Sequence, residues 1–148
     1  MISTLYKATS LLLLLPTLAF GAIGEVTDYS GSGAVERDEG FEVYEVTDGL
    51  GVESMDVVVT EKGKVRIDFI DDTRVDITEH SRLIIDDFVY DPASGEGSLS
   101  LKAGLGTIRY ASGKIAKNSR QRVRIETPSA VVGVRGTDFA MIVDEIGG

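Results

Sequence analysis

The sequence contains no cysteine and no tryptophan, only one histidine, His80, and three prolines in 148 residues. Without cysteine there are no disulfides, no thiol nucleophile, no thiolate zinc site and no lipid anchor at a cysteine. A single histidine excludes a histidine-rich metal site within one chain. Cations are scarce: 15 Lys and Arg face 24 Asp and Glu, a formal net charge of −9. Nucleic acid demands a basic face, so no nucleic-acid partner is expected. Glycine is abundant at 17 residues, which fits many turns and few long helices. The length suits one domain able to bury a core of its own.

Residues 1–21 read as a secretory signal peptide. One cation, Lys7, precedes an apolar run at residues 11–15, and Ala19 and Gly21 supply small residues before a cleavage at Ala22. The charge-free stretch, residues 8–24, contains Pro16 and falls short of the roughly 20 residues that a membrane span needs. No later segment is apolar enough to span. A mature domain over residues 22–148 with no stable membrane anchor, periplasmic or secreted, is expected.

After residue 22 the pattern alternates with period two. Val65, Ile67 and Phe69 share one face, with Arg66 and Asp68 on the other; Val123 and Ile125 alternate with Arg122, Arg124 and Glu126. The run from Phe139 through Met141 to Val143 is apolar on both faces and reads as a central strand. Turn signals stand at Asp48-Gly49, Lys62-Gly63, Asp71-Asp72, Asp91-Pro92, Ser112-Gly113 and Asn118-Ser119. A weak repeat of period eight keeps Ile67, Val75 and Leu83 in phase, and likewise Phe69, Ile77 and Ile85. The repeat fits a meander of short strands or the rungs of a small solenoid, and the expected domain is all-β with short strands, β-solenoid- or β-roll-like or sandwich-like.

Charge is unevenly spread. Residues 22–96 hold 20 acids and 6 bases, and residues 97–148 hold 4 acids and 8 bases. Cross-strand pairing between the two halves is the expected use of these charges; the alternative is an acidic face for a basic partner or cation.

Few constellations suggest chemistry. His80 falls in a turn without a nucleophile elbow nearby. Carboxylates are plentiful enough for a glycosidase pair, but aromatic sugar platforms are few. Asp68, Asp71, Asp72 and Asp76 invite a calcium reading, yet neither an EF-hand nor a glycine-aspartate calcium repeat is present. Gly104-Leu105-Gly106 lacks the third glycine of a dinucleotide fingerprint and reads as a turn or bulge. No enzyme, cofactor or metal is therefore expected. Arg120, Arg122 and Arg124 recur every second residue, about 6.6 Å apart along one strand face. They suit an anionic glycan or, alternatively, cross-strand acids.

The run Ile125-Glu126-Thr127-Pro128-Ser129-Ala130-Val131-Val132-Gly133-Val134-Arg135-Gly136-Thr137-Asp138-Phe139 resembles the FecR domain, whose most recognisable stretch is Thr-Pro, a small and apolar run, then Arg-Gly-Thr-x-Phe. The segments around Val65, Val75 and Leu83, and residues 99–110, resemble its strand-turn-strand body. Within the motif, Thr127, Pro128, Arg135, Gly136, Thr137 and Phe139 read as structural: Pro128 begins or bends a strand, and Gly136 takes a special backbone conformation. The resemblance implies a periplasmic, all-β, solenoid-like domain. In the best-known members it follows an inner-membrane helix, contacts the signalling domain of a siderophore receptor and controls a sigma factor. Only residues 1–10 precede the apolar run here, so the resemblance is to the stand-alone secreted form. Family members commonly continue into a further strand, whereas residues 144–148 read as the start of a turn. An open edge at Phe139–Val143 is therefore expected.

The sequence thus points to an exported, non-catalytic binding or scaffold domain in envelope signalling or protein recognition. Its partner would be an envelope protein, or another copy of itself, at an open edge through Phe139, Met141 and Val143. The alternatives are a cell-wall or anionic-glycan module using the arginines, and a self-assembling structural component.

Overall fold

The structure is a computed structural model and describes residues 21–118, 122–135 and 138–143. The chain is all-β. Strands β1 (Gly24–Arg37), β2 (Glu42–Glu45), β3 (Gly51–Val52), β4 (Val57–Phe69), β5 (Arg74–Ile77), β6 (Ser81–Asp91), β7 (Glu96–Ala111), β8 (Val123–Glu126), β9 (Val131–Val134) and β10 (Phe139–Val143) form one sheet, with a short helix α1 (Lys114–Asn118) between β7 and β8. Residues 1–20, which hold all but the last residue of the expected signal peptide, and Arg120, Gly136 and Thr137 lie outside the described residues.

Six strands are short, two to five residues each, but the sheet is built on longer ones. β1, β4 and β7 run for 14, 13 and 16 residues. β5 and β6 continue one another along the same edge of β4: Val65 faces Ile77, and a few residues on Thr60 faces Ser81. β7 then pairs antiparallel with both. The architecture is thus a meander in which the long strands pair antiparallel, with β8 added parallel to β7, rather than a stack of rungs. The period of eight has a simple cause. Val75, Ile77, Leu83 and Ile85 sit at even spacing on one nearly continuous strand, and all four are fully buried.

So long a sheet cannot stay flat. Extending the β4–β6 register places Phe88 opposite position 53, sixteen residues from Phe69. In a flat sheet that is about 50 Å. Their rings instead stack at 5.5 Å, so the sheet folds back on itself and traps the core between its two halves. The fold runs along a line of backbone irregularities, one per long strand. Gly31 of β1 faces Gly63 of β4, both at φ +79°, and a Cβ on either would lie about 2 Å from the opposing carbonyl oxygen. In the next strand residues 78–80 interrupt the ladder, with His80 at φ 54°. In β7, Gly104 is the extra residue of a bulge opposite Arg82 and Leu83, and Gly106 takes φ +98°. Lys62-Gly63 is accordingly a bend inside a strand and not the turn its sequence suggested, whereas Asp48-Gly49 and Asp91-Pro92 do close turns.

Apolar side chains alternate into this fold from every long strand, from Val26 and Val35 of β1 to Tyr110 of β7. The helix closes one side. Buried Asp71, at the β4–β5 turn, accepts from Ile115 N at 3.2 Å and from Thr73 Oγ1 at 2.7 Å, while its carbonyl accepts from Lys114 N at 2.7 Å. Its carboxylate and its carbonyl together satisfy two helix N–H groups that would otherwise be orphaned, with Ile115 in the core.

Gly106→Ala tests the fold line. Its Cβ would fall 1.9 Å from Ser81 Oγ and 2.6 Å from Ser81 Cα, so a loss of about 2–4 kcal/mol in denaturant unfolding is expected. A variant as stable as the wild type would show that the crease does not need this residue.

Candidate recognition surfaces

Among the described residues many of the titratable side chains are engaged in ion pairs and turns. His80 is exposed in its turn. The four aspartates of the calcium reading diverge: Asp68 pairs with Arg74 at 2.6 Å, Asp76 with Arg66 at 2.6 Å, Asp72 with Lys114 at 3.2 Å, and Asp71 caps α1. No group of three or more potential ligands occurs among the described residues.

The two halves of the sequence do not mainly neutralise one another. Of the nine ion pairs among the described residues, Lys102–Asp86 and Lys114–Asp72 alone join the halves. The reason is the meander: adjacent strands are neighbours in sequence, so the acids of β1 and β5 meet Lys64 and Arg66 of β4. Arginine and lysine hydrogen bonds hold Asp68, Asp76 and Asp86 below the usual carboxylate range.

Arg122 and Arg124 are exposed, and Arg124 binds Glu126 at 2.9 Å. Both line a cleft with Asp86, Asp87 and Ser100, where Asp86 is paired with Lys102 at 2.9 Å. Thr127 and Pro128 form the β8–β9 turn, where Thr127 Oγ1 accepts from Ala130 N at 3.0 Å; Pro128 therefore sits in a hairpin turn. Arg135 is exposed.

β10 is not a central strand. It pairs antiparallel with residues 106–110 of β7, its one strand neighbour among the described residues. Phe139, Met141 and Val143 lean on the core, with the Phe139 ring stacked on Tyr110 at 5.2 Å. Ala140 and Ile142 turn outward, and Ile142 is 71% exposed. The strand therefore presents its backbone edge and Ile142, while the three residues singled out in the sequence anchor it. Asp138 fixes its start by accepting from Ser112 N at 2.8 Å. No charged residue or proline blunts the strand.

Three of the most exposed apolar side chains lie on or beside the β1–β2 hairpin. Phe41 is 85% exposed, Met55 65% and Val43 63%. Behind the hairpin Arg37 makes a two-pronged bond to Asp56, at 2.9 and 2.8 Å, and its guanidinium lies over the Tyr44 ring at 5.0 Å. Asp56 is fully buried and also accepts from Glu53 N at 2.8 Å. Sequence reading missed this lock. The available signal was an aspartate set directly before the apolar run Val57-Val58-Val59, a place where a carboxylate needs a partner.

A family model described as FecR protein matches residues 55–148. The chain belongs to the FecR protein family. No curated protein and no solved structure gives a significant match. The FecR match takes in β4 to β10 and α1; β1, β2 and β3 precede it. Those preceding residues, 21–54, hold nine acids and one base, against 15 acids and 13 bases in the matched segment. Among the described residues, no helix is long and apolar enough to cross a membrane.

The lowered carboxylates set the acid response. An aspartate depressed below its unfolded pKa of about 3.9 stabilises fully above that value and loses its contribution as pH falls through the folded pKa. Stability should be level from about pH 5 to 8 and decline below. Asp76→Asn should flatten that decline; an unchanged acid limb would contradict the assignment to the Arg66 pair.

Proposed function

We propose that this FecR-family chain is an exported, non-catalytic recognition domain of the cell envelope that acts in signalling by taking a partner strand onto β10. Membership of a regulatory family is consistent with a periplasmic signalling role. The observation that carries the reading is the β10 edge. It is uncharged, has one strand neighbour among the described residues, and is held in register by Phe139 and Asp138. Strand addition draws affinity from main-chain hydrogen bonds, and Ile142 supplies an outward apolar contact. Sigma-factor control, where it occurs in this system, would be exerted by the partner that β10 engages. The anionic-glycan reading is less favoured, because Asp86 and Asp87 line the same cleft as Arg122 and Arg124. Self-assembly through the same edge remains the second reading, since one copy of β10 can add to another.

The test is capture of the tagged, processed chain from its own envelope, followed by mass spectrometry. One enriched envelope protein, lost on Ile142→Lys but retained on Val89→Lys, is expected; Val89 is 58% exposed on β6. Equal capture by both variants would reject the edge, and recovery of the chain alone would favour self-assembly.

A further inference from the structure

A second surface lies away from β10, where the β1–β2 hairpin overhangs the start of β4 and β6. The groove is lined by Glu36, Asp38 and Glu39 from the β1–β2 hairpin and by Met55, Val57, Arg82 and Ile84 from the segments around β4 and β6. Arg82 is spent on Glu36 at 3.4 Å. The carboxylates of Asp38 and Glu39 make no hydrogen bond or ion pair among the described residues, and both side chains are exposed.

We propose that this groove docks a basic segment of a partner protein, one that sets an apolar side chain on Met55, Val57 and Ile84 between cations facing Asp38 and Glu39.

Three independent observations support it. The first is Met55. It stands at φ 74° with its N–H fixed to the Ile85 carbonyl at 2.6 Å, and its side chain is mostly in solvent. Folding alone would favour glycine at such a backbone. A pliable thioether held there is suited to contact with a partner. The second is rigidity. The Arg37–Asp56 bond ties the hairpin stem to the start of β4, so the groove is formed before any partner arrives. The third is charge. Residues 21–54 carry nine acids to one base and lie outside the FecR match, whose own charges nearly balance. A second copy would bring the same acids to the same place, and like charges oppose that pairing. A cationic segment is drawn in by the same field.

The test uses the full chain and a labelled nonapeptide of three Lys-Leu-Lys units, with Lys-Ser-Lys and Glu-Leu-Glu peptides as comparisons. Saturable amide shifts confined to residues 36–41, 55–57 and 82–84 are expected for the Lys-Leu-Lys peptide. D38N/E39Q should weaken binding about tenfold, and the serine peptide should bind more weakly too. Met55→Gly is the decisive variant: it relieves the backbone, so thermal stability should hold or rise while affinity falls. Ile142→Lys should leave this affinity unchanged, which separates the groove from the β10 edge. Shifts scattered over every exposed acid, or an affinity indifferent to D38N/E39Q and Met55→Gly, would overturn the proposal. So would sedimentation showing a dimer that the same variants dissociate, because the occupant would then be a second copy.

Discussion

One constraint governs this fold: a single, mainly antiparallel sheet with strands too long to lie flat must crease. The crease is written into the backbone at one place on each long strand. Gly31 and Gly63 face each other at the same positive φ, residues 78–80 break the next ladder, and Gly104 and Gly106 bend β7. Because the four irregularities are in register, the sheet folds as a unit and its two inner faces become one core. Helix α1 and the buried Asp71 cap then close what the crease leaves open.

This geometry decides which surfaces are free. A meander satisfies neighbouring strands along their length but leaves ladders unpaired at its ends. One end holds β9 and β10, each with one strand neighbour among the described residues, and β10 is uncharged and anchored from within. The other carries the β1–β2 hairpin, dense with acids and braced by Arg37 on Asp56. The FecR match covers the first end and stops short of the second. The two ends thus differ in chemistry, main-chain pairing at one and charge with an apolar floor at the other.

Much of the core was legible in the sequence, because alternation depends only on the pleat. Ile67, Phe69, Val75, Ile77, Leu83 and Ile85 all point inward as their spacing required. Strand length was not legible. Lys62-Gly63 has the composition of a turn, and nothing local says that Gly31 will stand opposite and convert it into a bend. β10 misled for a related reason. Two apolar faces suggest a central strand, yet Ile142 is apolar without being covered, and only the pairing pattern shows it. The charge pairing likewise followed topology rather than composition: Asp76 meets Arg66 because β5 follows β4. The Arg37–Asp56 lock joins residues far apart in sequence, and the groove it braces depends on the positive φ of Met55, which no residue pattern announces.

The claim that β10 is an open edge is the hinge of the functional account, and hydrogen exchange of its amides in the isolated monomer tests it most directly. Alternate amides of Phe139–Val143, those turned away from β7, should exchange far faster than those bonded to it. Uniform protection across all five residues in a protein shown to be monomeric would mean that an intramolecular neighbour covers the edge, and the account would be wrong.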